Sequence, residues 1–266
     1  MISKLVRICG RVVPLAALAV ATAMVPARAA DMGPFEAAET GTPSGWQFTV
    51  APYVWAAGIS GDVAQFGLPS SKLDMSFSDI LKDLDISGMM VTEARYDRFS
   101  VVTDFSYVKT TTDEGTPFGI LATGVKVTSE TLRMAALGGY QILGDENFRV
   151  DLNAGLQLTA AKTKMRFIGG ILNGVRGTDS DVWVDGLVGF RARANLTEKL
   201  FMSGWANIGA GESDLVWDVM GGVGYNFTPS ISGFAGYRAS GIDYNKGGFV
   251  YDVVQHGPIT GLVFRF

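Results

Sequence analysis

The sequence predicts an all-β fold: an antiparallel transmembrane β-barrel of about ten strands, with one short helix in its first long loop. Three observations predict it. The chain is apolar, with 47% hydrophobic residues and a mean hydropathy of +0.22, yet past residue 29 no uninterrupted apolar run approaches the roughly 18 residues of a spanning helix. Its apolar residues instead alternate with polar ones at period two, the repeat of a strand between two unlike surroundings. The C-terminal run GPITGLVFRF sets Leu262, Phe264 and Phe266 on one strand face and ends on an aromatic residue. In hydrocarbon only helices and closed barrels satisfy every backbone N–H and C=O, so a membrane chain without spanning helices is left with the barrel.

The N-terminus supplies the address. Lys4, Arg7 and Arg11 precede the apolar run Val12 to Val25, and Ala27-Arg28-Ala29 follows. These are the charged, apolar and small-x-small parts of a cleavable secretory leader, so residues 1–29 are expected to be a signal peptide. A retained anchor is the rival, but the apolar core is short and Pro14 and Pro26 interrupt it. Cys9 lies in the leader and no other cysteine follows, which excludes disulfides and thiolate metal sites from the mature chain. The leader also carries Lys4, Arg7, Arg11 and Arg28, so the mature chain has 18 basic against 26 acidic residues, a net charge of −8 that gives nucleic acid no footing. Residues 30–45, rich in Gly, Pro, Ala and Glu and without a period, read as a periplasmic lead-in; 46–266 read as the barrel.

Strand alternation begins at once. Trp46, Phe48, Val50, Pro52, Val54 and Ala56 share one face, with Gln47, Thr49, Tyr53 and Trp55 on the other. Phe148, Val150, Leu152, Ala154, Leu156 and Leu158 oppose Arg149, Asp151, Asn153, Gln157 and Thr159. Val182, Val184, Val188 and Phe190 oppose Trp183, Asp185, Arg191 and Arg193, and Leu215, Trp217, Val219, Val223, Tyr225 and Phe227 oppose Asp218, Met220 and Asn226. A soluble sandwich also alternates, but with shorter strands and its charges outside.

Turn residues divide these strands into two classes: tight turns at Tyr96 to Phe99, Leu143 to Asn147, Asn195 to Lys199 and Phe227 to Ser230, and looser connections at Gly58 to Ile86, Thr111 to Gly124, Phe167 to Gly177, Ala210 to Ser213 and Asn245 to Gly248. Short periplasmic turns against longer outer loops are the asymmetry of outer-membrane barrels, and roughly 22 residues per strand and connection give ten strands; eight or twelve stay open. Trp46, Phe48, Tyr96, Phe99, Tyr140, Phe148, Tyr225, Phe227, Phe264 and Phe266 all fall beside a periplasmic turn or chain end, as an interfacial girdle requires. In the longest loop Phe77, Ile80, Leu81 and Leu84 recur at helical spacing behind Ser76, with Asp79 three residues on. A short helix over 76–85 is expected either in the barrel mouth or at the outer surface.

On this parity the inward charges are Glu93, Arg95, Asp104, Arg133, Arg149, Asp151, Asp181, Asp185, Arg191, Arg193, Asp218 and Arg238. They predict either a narrow polar pore or an interior filled by acid–base pairs, since an unpaired buried charge is costly. His256, in QHGP, is the one histidine and the only candidate base for a barrel hydrolase. No local motif supports that role, and the odd parity of Phe249, Tyr251 and Val253 against the even parity of Leu262, Phe264 and Phe266 suggests a β-bulge there instead. Asp113-Glu114 and Asp179-Ser180-Asp181 are acidic enough to meet calcium but read as solvated loop residues; no metal site and no cofactor are expected. Gly221, Gly222 and Gly224 lie within strand alternation, so no phosphate-cradling loop is implied.

The blocks NIGAGESDLVWDVMGGVGYNF, SISGFAGYRASGIDYNKGG and DVVQHGPITGLVFRF, with APYVWAAGISGDV, LDMSFSDILKDLDISGMM and FSVVTDFSYV before them, resemble a family of uncharacterised, porin-like outer-membrane β-barrel proteins of Gram-negative bacteria. The likeness spans nearly all of the mature chain and departs at Gly209-Ala210-Gly211, where such proteins usually read Gly-Gly. It implies location and fold and offers no active site to carry over. The expected protein is therefore a non-enzymatic barrel of the cell outer membrane, either passing small solutes or shut by its charge-paired interior. An outer-membrane hydrolase using His256 and a surface-recognition barrel acting through its outer loops are the alternatives. Its expected partners are outer-membrane lipid and the barrel assembly machinery, which would read Phe264 and Phe266.

Overall fold

The computed structural model describes residues 45–115, 122–145 and 147–266; the expected signal peptide and nearly all of the lead-in lie outside the described residues. Ten antiparallel strands close on themselves: β1 (Trp46–Trp55), β4 (Leu84–Tyr96), β5 (Phe99–Gly115), β6 (Gly124–Gly144), β7 (Phe148–Ile168), β8 (Arg176–Asn195), β9 (Leu200–Gly211), β10 (Leu215–Asn226), β11 (Ile231–Lys246) and β12 (Phe249–Arg265). Each pairs with its chain neighbour, and β12 returns to β1. Phe266 completes the seam, its N–H donating to Phe48 O (2.9 Å) and its C=O accepting from Phe48 N–H (3.2 Å).

The stretch 58–86, expected as a loose loop, holds two further strands. β2 (Gly58–Ala64) continues upward from β1 along the outer half of β12, and β3 (Ser71–Met75) folds back on β2. Its alternation was hidden by Gly58, Gly61 and Asp62, which carry no apolar signal. On the far side, the β1–β4 ladder covers seven residue pairs and ends at Pro52↔Met90, so Leu84 to Met89 register with β5 alone. By contrast β6 and β7 pair from Gly124↔Ile168 to Gly144↔Arg149, with one register shift between Gln141 and Leu143.

The periplasmic turns are tight because short polar side chains replace missing backbone partners. Asp145 Oδ1 accepts from the N–H groups of Asn147 and Phe148, Thr197 Oγ1 from those of Lys199 and Leu200, and Thr228 Oγ1 from that of Ile231. Asp97 takes the left-handed conformation (φ 51) that closes the Tyr96–Phe99 turn. The expected asymmetry with the outer side holds for the first three connections only: residues 212–214 and 247–248 join their strands as briefly as most periplasmic turns. Thr111 to Gly115, expected in a loop, extends β5 instead.

Outward and inward positions alternate as the period requires. Leu152 and Val219 are 45% and 40% exposed on the outer wall while Asp151 and Asp218 beside them are 1% and 5% exposed. Trp46 stacks on Phe48 and tilts against Tyr96, and Phe99 meets Tyr140 edge-on, forming a ring of aromatics at the periplasmic rim. The expected bulge near His256 is not there. β11 and β12 register without a shift from Ile231↔Phe264 to Lys246↔Phe249, so the odd residues Phe249, Tyr251 and Val253 face inward.

The helix α1 (Phe77–Lys82) begins where Ser76 predicts. Ser76 Oγ accepts from the Asp79 N–H (3.3 Å) and donates to Asp79 Oδ2 (2.6 Å), the reciprocal cap expected of that spacing. None of its residues is buried, and Leu84 already belongs to β4, so it does not plug the mouth. The Ser76 hydroxyl, and then the Lys82 ammonium, hold the Asp79 carboxyl below the usual carboxylate range. A lowered folded value means that this cap contributes in full above the ordinary carboxylate pKa and is lost as pH falls through the lowered one. In S76A the Asp79 carboxyl carbon should titrate closer to the ordinary value by NMR; an unmoved midpoint would refute the capping account.

Candidate functional site: the barrel interior and its periplasmic vestibule

The lumen is built in three layers. At the outer end Trp183, Leu187, Val216, Ile242, Tyr244, Phe249, Tyr251 and Val253 form a buried apolar cluster, and Trp183 stacks on Tyr244 with ring centroids 4.1 Å apart. The carboxylates at its rim are engaged: Tyr244 Oη donates to Asp181 Oδ2 (2.7 Å), and Asp185 accepts from the Ser213 N–H (2.7 Å) and hydroxyl (2.8 Å). The β2–β3 connection crosses to β8, where the Phe66 N–H donates to Asp179 Oδ2 (2.6 Å). The carboxylates of the Asp179-Ser180-Asp181 run are thus engaged by protein donors.

The middle layer is centred on Arg238, 3% exposed. Its guanidinium donates to Asp218, to Asp104 Oδ2 (2.6 Å) and to Tyr53 Oη (2.8 Å), and it lies over the Trp55 and Trp205 rings. Trp205 Nε1 donates to Asp218 Oδ1 (2.9 Å), and Arg133 donates to Ser240 Oγ (2.8 Å) with Asp218 3.7 Å away. Two acids and two bases balance here, with four N–H groups of Arg238 bonded to fixed acceptors and its guanidinium held against aromatic faces.

The periplasmic layer is not balanced. Glu93 meets Arg95 (3.0 Å), Arg191 (3.0 Å) and Arg149 (3.7 Å), and Asp151 meets Arg95 (2.6 Å) and Arg149 (3.3 Å). Arg193 has no carboxylate partner among the described residues; its guanidinium lies 3.7 Å above the Phe201 ring. Phe201 in turn depends on Gly224, where a Cβ would come within 2.1 Å of that ring. Arg265 donates to Ser232 Oγ (2.8 Å) and likewise meets no acid among the described residues. These arginines line a cavity of about 500 Å³ that reaches the periplasmic turns at Asn147, Thr197 and Glu198.

All twelve charges read as inward from parity lie in these layers: Glu93, Arg95, Arg149, Asp151, Arg191 and Arg193 in the vestibule, Asp104, Arg133, Asp218 and Arg238 in the middle, Asp181 and Asp185 at the outer end. Sequence reasoning missed Arg265, although the outward parity of Phe264 and Phe266 already set it inward. It also missed the outer aromatic cluster: parity sets Trp183 inward, but Phe249, Tyr251 and Val253 read as the lipid side of the last strand. His256 lies on the outer wall, its Nδ1 2.6 Å from the Tyr237 hydroxyl. Asp113 faces Lys126 at 3.5 Å, and among the described residues no group of three His, Cys, Asp or Glu side chains could hold a metal.

A closed antiparallel barrel with an apolar outer wall, an aromatic rim and a polar interior is the class of transmembrane barrels found in outer membranes. No protein-family model matches the sequence, and no curated protein matches it significantly. Among solved structures the chain is similar to the outer membrane protease OmpT from Escherichia coli, at 10% identity over 83% of this chain and 97% of that one, with a TM-score of 0.50. It is also similar to the translocator domain of the autotransporter NalP from Neisseria meningitidis (15% identity, 85% and 90% covered, TM-score 0.47) and to the attachment invasion locus protein Ail of Yersinia pestis (14% identity, 84% and 100% covered, TM-score 0.33). The likeness to OmpT shows the fold. With the apolar wall and rim described above, it makes this chain an integral β-barrel of the Gram-negative outer membrane.

Proposed function

We propose that the chain is a non-enzymatic barrel whose interior is closed to solute passage, so that the outer membrane is spanned without being perforated. The observation that supports this reading is the stacking of two buried layers, the aromatic cluster around Trp183 and the Arg238 network, above the cavity of about 500 Å³ that reaches the periplasmic turns. A porin-like lumen would instead carry water past facing acid and base ladders. Here the charges of the middle layer are consumed by one another. The hydrolase alternative loses support because His256 points away from every lumenal carboxylate and bonds to Tyr237 on the outer wall. Phe264 and Phe266, with Phe266 closing the seam on Phe48, are the residues through which the assembly machinery would recognise the chain.

The test is electrical. Protein refolded into a planar bilayer should give no stepwise currents under applied voltage at molar salt. Reproducible unitary steps would overturn the closed-interior reading in favour of passage.

A further inference from the structure

We propose that the periplasmic vestibule is a binding site for a small amphiphilic oxyanion, a phosphate or carboxylate head on a short apolar body. This rests on the closed-interior reading, which leaves the periplasm as the approach. Arg95, Arg149, Arg191, Arg193 and Arg265 face Glu93, Glu198 and, below, Asp151, five positive charges against three negative. The excess is localised: Arg193 and Arg265 are the two without a carboxylate among the described residues. The guanidinium fork matches the paired oxygens of phosphate or carboxylate, so an oxyanion supplies the missing negative charge.

The opposite wall defines the rest of the ligand. Trp205, Met220, Phe234 and Ile259 line the same cavity, and its volume falls in the range of about 300–1,000 Å³ usual for small-molecule sites. A bare inorganic ion would leave that apolar wall wet. A long-chain lipid would not fit inside, so the proposed ligand is a soluble, short-chain anion.

Calorimetric titration of the refolded barrel in zwitterionic detergent tests this with hexyl phosphate, inorganic phosphate and hexanol. Hexyl phosphate should bind saturably with one site per barrel, more tightly than inorganic phosphate, and should weaken as salt rises. Hexanol should not saturate. R193Q, which strands no acid, should weaken hexyl phosphate about tenfold, the loss of one charge-assisted contact. W205A should weaken hexyl phosphate while sparing inorganic phosphate. Equal affinity for the two phosphates would overturn the amphiphile, and non-saturable uptake insensitive to salt would overturn the site itself, a result readable on the unaltered protein even if R193Q fails to fold. Silent bilayers without hexyl phosphate binding would sink this inference alone, whereas unitary currents would sink the closed barrel.

Discussion

Replacing Arg238 with methionine should cost the barrel about 3–5 kcal/mol, the range for breaking a buried ion pair by removing one partner. Asp218 would keep its charge buried and Asp104 its own half-buried, with Arg133 at 3.7 Å left as the nearest compensation for Asp218. Methionine fills much of the arginine stem, so lost volume contributes little. Adding D218N to R238M should return part of the loss, because it removes one stranded charge, and that non-additivity separates electrostatics from packing. Urea-driven unfolding from lipid vesicles, followed by tryptophan fluorescence, measures both. A loss below about 1 kcal/mol, of the size seen for exposed pairs, would mean that water reaches this layer.

Trp183→Ala should be as costly, about 3–5 kcal/mol, for a different reason. The indole is fully buried, stacked on Tyr244 and edged by Phe249 and Tyr251. A barrel wall fixed by ladder hydrogen bonds cannot collapse inward to refill the space. The same urea unfolding reports the loss. Because Arg238 seals a separate layer, W183A should remain electrically silent despite its lower stability; currents in W183A alone would show that the aromatic layer is the only barrier.

Much of the fold was legible because lipid and lumen impose opposite chemistry on successive residues. The strand faces around Leu152 and Val219, the periplasmic turns with their Asp and Thr, and the Ser76 cap follow from local rules that tertiary structure did not override. The outer half was harder to read. There Phe249, Tyr251 and Val253 are apolar and inward, so the rule that equates apolar with lipid placed a bulge at His256 where the register runs straight. The vestibule was half visible: parity set each arginine inside, but Arg95 meets Asp151 from a strand 56 residues away. No sequence window contains that pairing, and so the excess of arginine over acid emerges only on folding.

The seven-pair ladder between β1 and β4 sets how thick a bilayer this wall can accept. At about 3.3 Å per residue it spans roughly 20 Å along the strand, and less in depth once the strands tilt. Past Met90 no neighbouring strand takes the free edge of β4, and acyl chains offer it neither donor nor acceptor. A bilayer that reaches past this ladder should thin on this flank relative to the β6–β7 flank, a hydrophobic mismatch that would give the barrel a preferred orientation toward its neighbours in the membrane plane.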